Sequence, residues 1–151
     1  MPGYANRMYY QVGQEASITR KVTAEDVEKF AQVSGDDNPV HLDPAFAAAS
    51  RFKGRIAHGL LSASYISAVL GSKLPGPGTI YLSQSITFKA PVYLGDRITA
   101  RVIVLNYRPD KQILTLRTEC VNQNGVTVLE GQAVCLTSDV SQPEEPAEKA
   151  C

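Results

Sequence analysis

Neither sign of charge is in surplus: the 151-residue chain has 15 Lys and Arg against 15 Asp and Glu. A general nucleic-acid binder needs excess positive charge to displace the counterions of phosphates, so the balance speaks against that class. Cysteine is scarce, with Cys120, Cys135 and Cys151 and no C-x-x-C pair. The spacing suggests neither a zinc site nor a secreted disulfide framework, and a reducing compartment is the simpler expectation. Long apolar runs are also missing. None approaches the roughly 20 residues that a membrane-spanning helix requires, and the stretch MPGYANRMYYQVGQ lacks the apolar core of a secretory signal. The expected setting is cytoplasmic or an equivalent organelle interior, with neither membrane nor nucleic acid as a partner.

What the chain does have is 44% hydrophobic and 20% charged residues, the profile of a soluble globular domain. Its length suits one domain with a real core and no need of metal or disulfide staples. The stretch DVSQPEEPAEKAC loses hydrophobic periodicity and gains proline and glutamate. The expected organisation is therefore one domain over residues 1–138 and a solvated tail over 139–151.

Helical signals dominate the first half. In TAEDVEKFAQVSG, Thr23 and Asp26 have capping-box spacing, Val27, Phe30 and Ala31 share one helical face, and Gly35 supplies a stop. Asp43-Pro44 suits the start of a short second helix, with Asp as N-cap and Pro in the first helical position. The segment HGLLSASYISAVLGS, residues 58–72, contains no Asp, Glu, Lys or Arg and carries apolar side chains on every face. Such a helix is expected to be buried, ending near Gly71.

After PGPG the period changes to two. Ile98, Ala100, Val102 and Val104 alternate with Thr99, Arg101, Ile103 and Leu105; Leu114, Leu116 and Cys120 alternate with more polar neighbours. Ile80, Leu82, Ile86 and Phe88 are expected to share a strand face, and Asn124-Gly125 suits a hairpin turn before residues 126–136. One buried helix and four long, mostly antiparallel strands give an α+β layer structure, most economically with the sheet wrapped around the helix.

The segments SGDDNPVHLDPAFA, IAHGLL and PGPGTIYLSQSITFKAPVYLGD, in that order, resemble the MaoC-like (R)-specific enoyl-CoA hydratases, and the match runs from roughly residue 22 to 136. The resemblance implies the hot-dog fold and hydration of trans-2-enoyl thioesters to (R)-3-hydroxyacyl thioesters, or the reverse dehydration. It implies no metal or redox cofactor. It also implies an acyl-CoA or acyl carrier protein thioester as substrate, and a homodimer or larger homo-oligomer with the pocket near the subunit interface.

The reaction itself says what residues are needed. Water must lose a proton as it attacks C3, C2 must gain one, and charge on the thioester oxygen must be absorbed. Asp36 and His41 are the candidate acid–base pair, and the resemblance favours the aspartate as base toward water. An ionised Asp beside a His would raise the imidazole pKa. Asn38-Pro39 biases the chain away from helix and sets a bend between the two. Gly59, at the start of the uncharged helix, is implied as the amide that meets the thioester oxygen.

By the same resemblance Ser67 hydrogen-bonds the catalytic aspartate, and Leu70 and Val134 line the acyl pocket. From the residues alone, Ser67 could equally bond its own helix, and Leu70 and Val134 could be plain core. Asp37 reads as solvated, Asp43 as a cap and His58 as a structural histidine. Arg51, Lys53 and Arg55 could meet coenzyme A phosphates, meet an acidic carrier protein, or simply face solvent.

Other functions remain as competitors. Thioesterases and bacterial-type dehydratases of this fold place a carboxylate on the central helix, where this chain has none. A 3-hydroxyacyl carrier-protein dehydratase of fatty-acid synthesis and a non-catalytic thioester binder both stay open. A mononuclear metal enzyme using His41, Asp43 and His58 is a further alternative.

Overall fold

Nine elements succeed one another in the computed structural model, which describes residues 10–137. The tail expected at residues 139–151, with Cys151, lies outside them. Strand β1 (Glu15–Lys21) leads into helix α1 (Ala24–Ser34), the short helices α2 (Pro39–Leu42) and α3 (Pro44–Ala49), and the long helix α4 (Gly59–Ser72). Strands β2 (Ile80–Phe88), β3 (Arg97–Arg108), β4 (Ile113–Val121) and β5 (Thr127–Leu136) complete the described residues.

The five strands form one antiparallel sheet in the order β1-β3-β4-β5-β2, and α4 packs against every strand. The alternation on β3 and β4 is the one expected: Ile98, Ala100, Val102, Val104, Leu114, Leu116 and Cys120 are buried. They meet Ile66, Val69 and Leu70 of α4 in one core. Each large aliphatic side chain buried there contributes roughly 1.5–3 kcal/mol from removal of apolar surface from water.

Local chemistry sets the helix boundaries. Thr23 and Asp26 close the capping box of α1 in both directions, and Gly35 ends the helix in the left-handed region at φ 80°. Asp43 caps α3 by accepting from the amides of Ala45 and Phe46, with Pro44 in the first turn.

Four expectations need correction. A fifth strand, β1, precedes α1; its alternation of half-buried Ala16 and Ile18 with exposed Ser17 and Thr19 is short and framed by charges, so the strand signal is weak. Gly71 lies inside α4, which runs on to Ser72 with Lys73 as C-cap. A β-bulge between Tyr81 and Ser83 shifts the register of β2 against β5. Tyr81, Gln84, Ile86 and Phe88 therefore lie opposite Cys135, Ala133, Gly131 and Leu129, on the face that α4 packs against, and Ile80 and Leu82 do not join Ile86 and Phe88. Finally, α4 is buried on one side only. Leu61, Ser62, Tyr65, Ile66, Val69 and Leu70 face the core, whereas Leu60, Ser64, Ser67 and Ala68 lie on the more exposed side.

β2 reaches the sheet only through β5, and Gly131 permits that approach. A Cβ built on Gly131 would lie 1.8 Å from the Ser85 carbonyl oxygen, a backbone atom with little freedom to move. Gly131→Ala should therefore destabilise the fold by roughly 3 kcal/mol, at the upper end of overpacking penalties. Urea unfolding would measure it, and an unchanged midpoint would mean that β2 does not pack as described.

Candidate active site

The polar segment between α1 and α3 is a succession of side-chain-to-backbone turns. Ser34 donates its hydroxyl to the Phe30 carbonyl at 2.7 Å and accepts from the Asp36 amide at 3.1 Å. Asp36 Oδ1 accepts from the Asn38 amide at 3.2 Å, and Asn38 Oδ1 accepts from the Val40 amide at 3.2 Å. Asn38 is thus the N-cap of α2 and Pro39 sits in its first turn. The bend expected at Asn38-Pro39 is present, but residues 39–42 wind into a one-turn helix rather than an open loop. That turn carries His41 inward, to 8% exposure, while Asp36 stays exposed.

Two backbone carbonyls orient two imidazoles. His41 Nδ1 lies 2.7 Å from the Ile56 carbonyl oxygen, so Nδ1–H is the donor and the neutral ring keeps its lone pair on Nε2. His58 Nε2 lies 2.9 Å from the Asp36 carbonyl oxygen, which leaves the lone pair on Nδ1. His58 is 3% exposed, and that Nδ1 is buried without a hydrogen-bond partner. The rings stack with centroids 3.9 Å apart, and Phe30 packs on His58 at 4.8 Å. One nitrogen from each histidine and a carboxylate oxygen of Asp36 lie within 4.8 Å of one another.

Arg55 grips the other end of His41, donating from Nε to the His41 carbonyl at 2.6 Å. Its Nε is thus used to hold α2 while its Nη2 is buried without a hydrogen-bond partner, whereas Arg51 and Lys53 are exposed. The segment that carries these grips is itself anchored. The Tyr93 hydroxyl donates to the Phe52 carbonyl at 2.8 Å, and the Ala57 amide to the Val92 carbonyl at 2.8 Å.

The pKa of His41 is lowered, not raised as expected. Burial is the largest cause and the neighbouring His58 adds to it, against the Ile56 hydrogen bond and the Asp36 charge. Desolvation thus outweighs the aspartate. The thiols of Cys120 and Cys135 are free and buried, pushed up to about 12 and about 11 by burial, so they pack as small apolar groups.

Gly59 opens α4. Its N-cap, His58, makes no side-chain cap bond and its carbonyl accepts from the Leu61 amide, so the Gly59 and Leu60 amides of this 14-residue helix are left for another partner. The ring of Phe88 stands beside it: a Cβ on Gly59 would lie 2.5–2.9 Å from three ring carbons. Phe88 is 54% exposed, which makes it a movable wall at this end of the helix. No pattern in the strand singled Phe88 out, and a backbone carbonyl such as Ile56 leaves no sequence signal at all. His58, expected as a structural histidine, holds the Asp36 carbonyl in that role.

The structure brings together Asp36, His41, His58 and, at the same helix end, Gly59. Asp37 is exposed, and Asp43 is occupied in capping α3. The metal-type grouping of the described residues therefore contains Asp36 and not Asp43. Ser67 is eight residues beyond Gly59, about 12 Å along the helix axis, and faces solvent, so it does not reach Asp36 within one chain. Leu70 is core at 1% exposure. Val134, half-buried, points to the face of β5 opposite Ala133 and Cys135, so a single chain does not join it to Leu70. A cavity of about 380 Å³ between β1, α1 and α4 is lined by Arg20, Phe30, Tyr65 and neighbours, with none of Asp36, His41 or Gly59 among them.

Comparison with known proteins adds an independent finding. The family described as MaoC like domain matches residues 9–127. An (R)-specific enoyl-CoA hydratase of Aeromonas caviae is 49% identical over 124 residues, 82% of this chain and 92% of that protein. A mitochondrial 3-hydroxyacyl-[acyl-carrier-protein] dehydratase of Arabidopsis thaliana is 36% identical over 135 residues, 87% of this chain and 80% of that protein. The structure of R-hydratase PhaJ1 from Pseudomonas aeruginosa superposes with a TM-score of 0.83 at 43% identity, covering 94% of each chain.

Two outcomes test the geometry. Because the folded pKa of His41 lies below its ordinary 6.5, the unfolded chain takes up the proton first on acidification. The contribution of His41 to stability is present above about pH 6.5 and is lost as pH falls through the lowered folded value. Urea titrations across that range should show stability falling toward acid, with a shallower fall in His41→Gln; equal slopes would contradict the buried neutral imidazole. Gly59→Ala should displace the Phe88 ring and block approach to the helix amides. Any ligand that uses those amides should then bind or react at least tenfold more weakly, at a stability cost of about 1 kcal/mol. Unaltered ligand handling in Gly59→Ala would remove Gly59 from the site.

Proposed function

The chain belongs to the MaoC-like domain family, and from that membership and the Asp36–His41–Gly59 arrangement we propose that it is a hydro-lyase of hot-dog fold that hydrates trans-2-enoyl-CoA to (R)-3-hydroxyacyl-CoA. The observation that carries the reading is the convergence of a carboxylate and an oriented imidazole at the uncapped N-terminus of an uncharged helix. The (R) outcome rests on the likeness to the Aeromonas hydratase.

The chemistry grows out of the geometry. A water held by Asp36 and by His41 Nε2 attacks C3 of the enoyl thioester. One O–H bond breaks as the C3–O bond forms, and the proton passes to the Asp36–His41 pair. The pair returns one proton to C2, so the side chains end as they began and no further reactant is consumed. Electron density that moves onto the thioester oxygen is received by the Gly59 amide and the positive end of α4. Ile56 and Arg55 keep His41 in place, and His58 fixes the main chain of Asp36. No electrons leave or enter, so the proposed step needs no oxidant or reductant, and its proton transfers use only Asp36 and His41. Dehydration is the same path reversed.

The working unit is proposed to be a homodimer. β2 is a sheet edge with Ile80, Tyr81, Leu82 and Phe88 exposed, and the outer side of α4 carries uncharged exposed residues such as Leu60 and Ser67. A second copy on this surface would cover an apolar edge that is otherwise an aggregation hazard. It would also offer the exposed Ser67 a neighbour that one chain does not supply, whereas Leu70, in the core, and Val134, on the other sheet face, stay outside that surface. A cytoplasmic setting belongs to the same proposal, supported by the two free buried thiols.

A second reading, action on acyl carrier protein thioesters, is favoured by the Arabidopsis relative and by the exposed cations Arg51 and Lys53. The two readings share one active site and differ in what lies outside it.

Hydration of crotonyl-CoA and longer enoyl-CoAs, read as loss of enoyl absorbance, tests the chemistry. Asp36→Ala and His41→Ala should each lower kcat by about 100- to 10,000-fold with KM little changed, as expected for groups that act in the transition state. Full activity in either variant would reject the dyad. Rising salt should raise KM for the CoA substrate if Arg51 and Lys53 meet its phosphates, and a flat response would remove them from recognition.

A further inference from the structure

We propose that Asp36, His41 and His58 form a binding site for a zinc-class divalent cation that inhibits the enzyme. The binding step stands on geometry alone, and its inhibitory consequence rests on the hydratase reading above.

The hydrogen bonds determine which atoms are free. The Ile56 carbonyl takes the His41 Nδ1–H and the Asp36 carbonyl takes the His58 Nε2–H, so a cation would find the remaining nitrogen of each ring uncommitted. Asp36 uses Oδ1 to accept from the Asn38 amide and keeps Oδ2 uncommitted among these bonds. One nitrogen of each imidazole and one carboxylate oxygen of Asp36 lie within 4.8 Å of one another. Carbonyl-held imidazoles are the usual outer support of metal-binding histidines, because the carbonyl fixes the tautomer and strengthens the other nitrogen as a donor.

A second observation points to a ligand. The Nδ1 of His58 is buried in a 3% exposed residue and has no hydrogen-bond partner. The proposed dyad chemistry does not use it. An orphaned buried acceptor is costly to maintain, and a cation is one group that satisfies a lone pair without needing a proton on it.

The donor set selects the ion. Two nitrogens and one oxygen suit Zn²⁺ or Co²⁺ better than Mg²⁺ or Ca²⁺, which prefer all-oxygen shells. With metal–ligand bonds of about 2.0–2.1 Å, a tetrahedral site separates its ligands by roughly 3.3 Å. The present cluster must therefore close by roughly 1.5 Å. Asp36 is exposed and free to swing inward, and a small tilt of the stacked rings would bring both lone pairs to one point. The fourth position would remain open to water, as in three-ligand zinc sites.

Occupancy would remove the activity proposed above. The cation would take the lone pairs of Asp36 and His41, the two groups that receive the proton of water, and its charge would hold them from reprotonation. Zinc would thus compete with productive binding of water at the same atoms.

The experiment uses full-length protein freed of metal with chelator. Co²⁺ addition, followed by visible absorption, should give the intense bands of a low-coordinate site and saturate at one ion per chain. Zn²⁺ should displace it, abolish enoyl-CoA hydration in proportion to occupancy at micromolar concentration, and be reversed by EDTA. His58→Gln should weaken Co²⁺ and Zn²⁺ binding roughly tenfold or more. Asp36→Asn, a change at an exposed side chain, should do the same if the His58 variant fails to fold. Absence of Co²⁺ bands, binding unchanged in both variants, or Zn²⁺ raising activity would each overturn the proposal. The cobalt spectrum does not depend on turnover, so stoichiometric binding in a protein without hydratase activity would overturn the function and leave the site standing.

Discussion

The hydrogen bond from His41 Nδ1 to the Ile56 carbonyl is the constraint on which the rest of the site depends. It settles which nitrogen carries the proton, and therefore which one keeps its lone pair. It works only if residues 55–57 are immobile, and the fold supplies that by pairing Ile56 with Tyr93 in an isolated bridge and tying Ala57 to Val92. Arg55 holds the carbonyl end of His41 from the same stretch. The connection between α3 and α4 is thus a clamp, and the sheet-side loop before β3 is its backing.

Electrostatics within the clamp run against first intuition. A carboxylate near an imidazole ordinarily favours the charged ring, yet His41 is held neutral because burial and a stacked second histidine outweigh it. Two imidazoles in face contact cannot both carry charge cheaply in a poorly solvated place. Burial and the stack therefore keep the His41 ring as an acceptor, which is the property that proton transfer from water and coordination of a cation have in common.

Much of this was legible in the residues. The capping box at Thr23 and Asp26, the Asp43-Pro44 helix start and the alternation on β3 and β4 all depend on neighbours a few positions apart, and such patterns survive folding. The placing of Asp36, His41 and Gly59 at one end of α4 came from the order of motifs. The features that could not be read came from distant contacts. The direction of the His41 shift depends on burial and on His58, seventeen residues further along. The bulge that turns Tyr81 toward α4 is a property of the β2–β5 pairing, and the exposed side of α4 looks the same in sequence as its buried side because neither carries charge.

The sheet order has one consequence in time. β2 carries Phe88, which walls the first turn of α4, but β2 is joined to the sheet only through β5, the last of the described strands. During synthesis, α4 and β2 leave the ribosome well before their partner, and pairings so remote in sequence form late. Core strands β3 and β4 can pair through a short hairpin in the meantime. The mouth of the helix is therefore finished by the final ten residues of the sheet, and a chain interrupted before them would hold its histidines and yet lack one side of the place where they work.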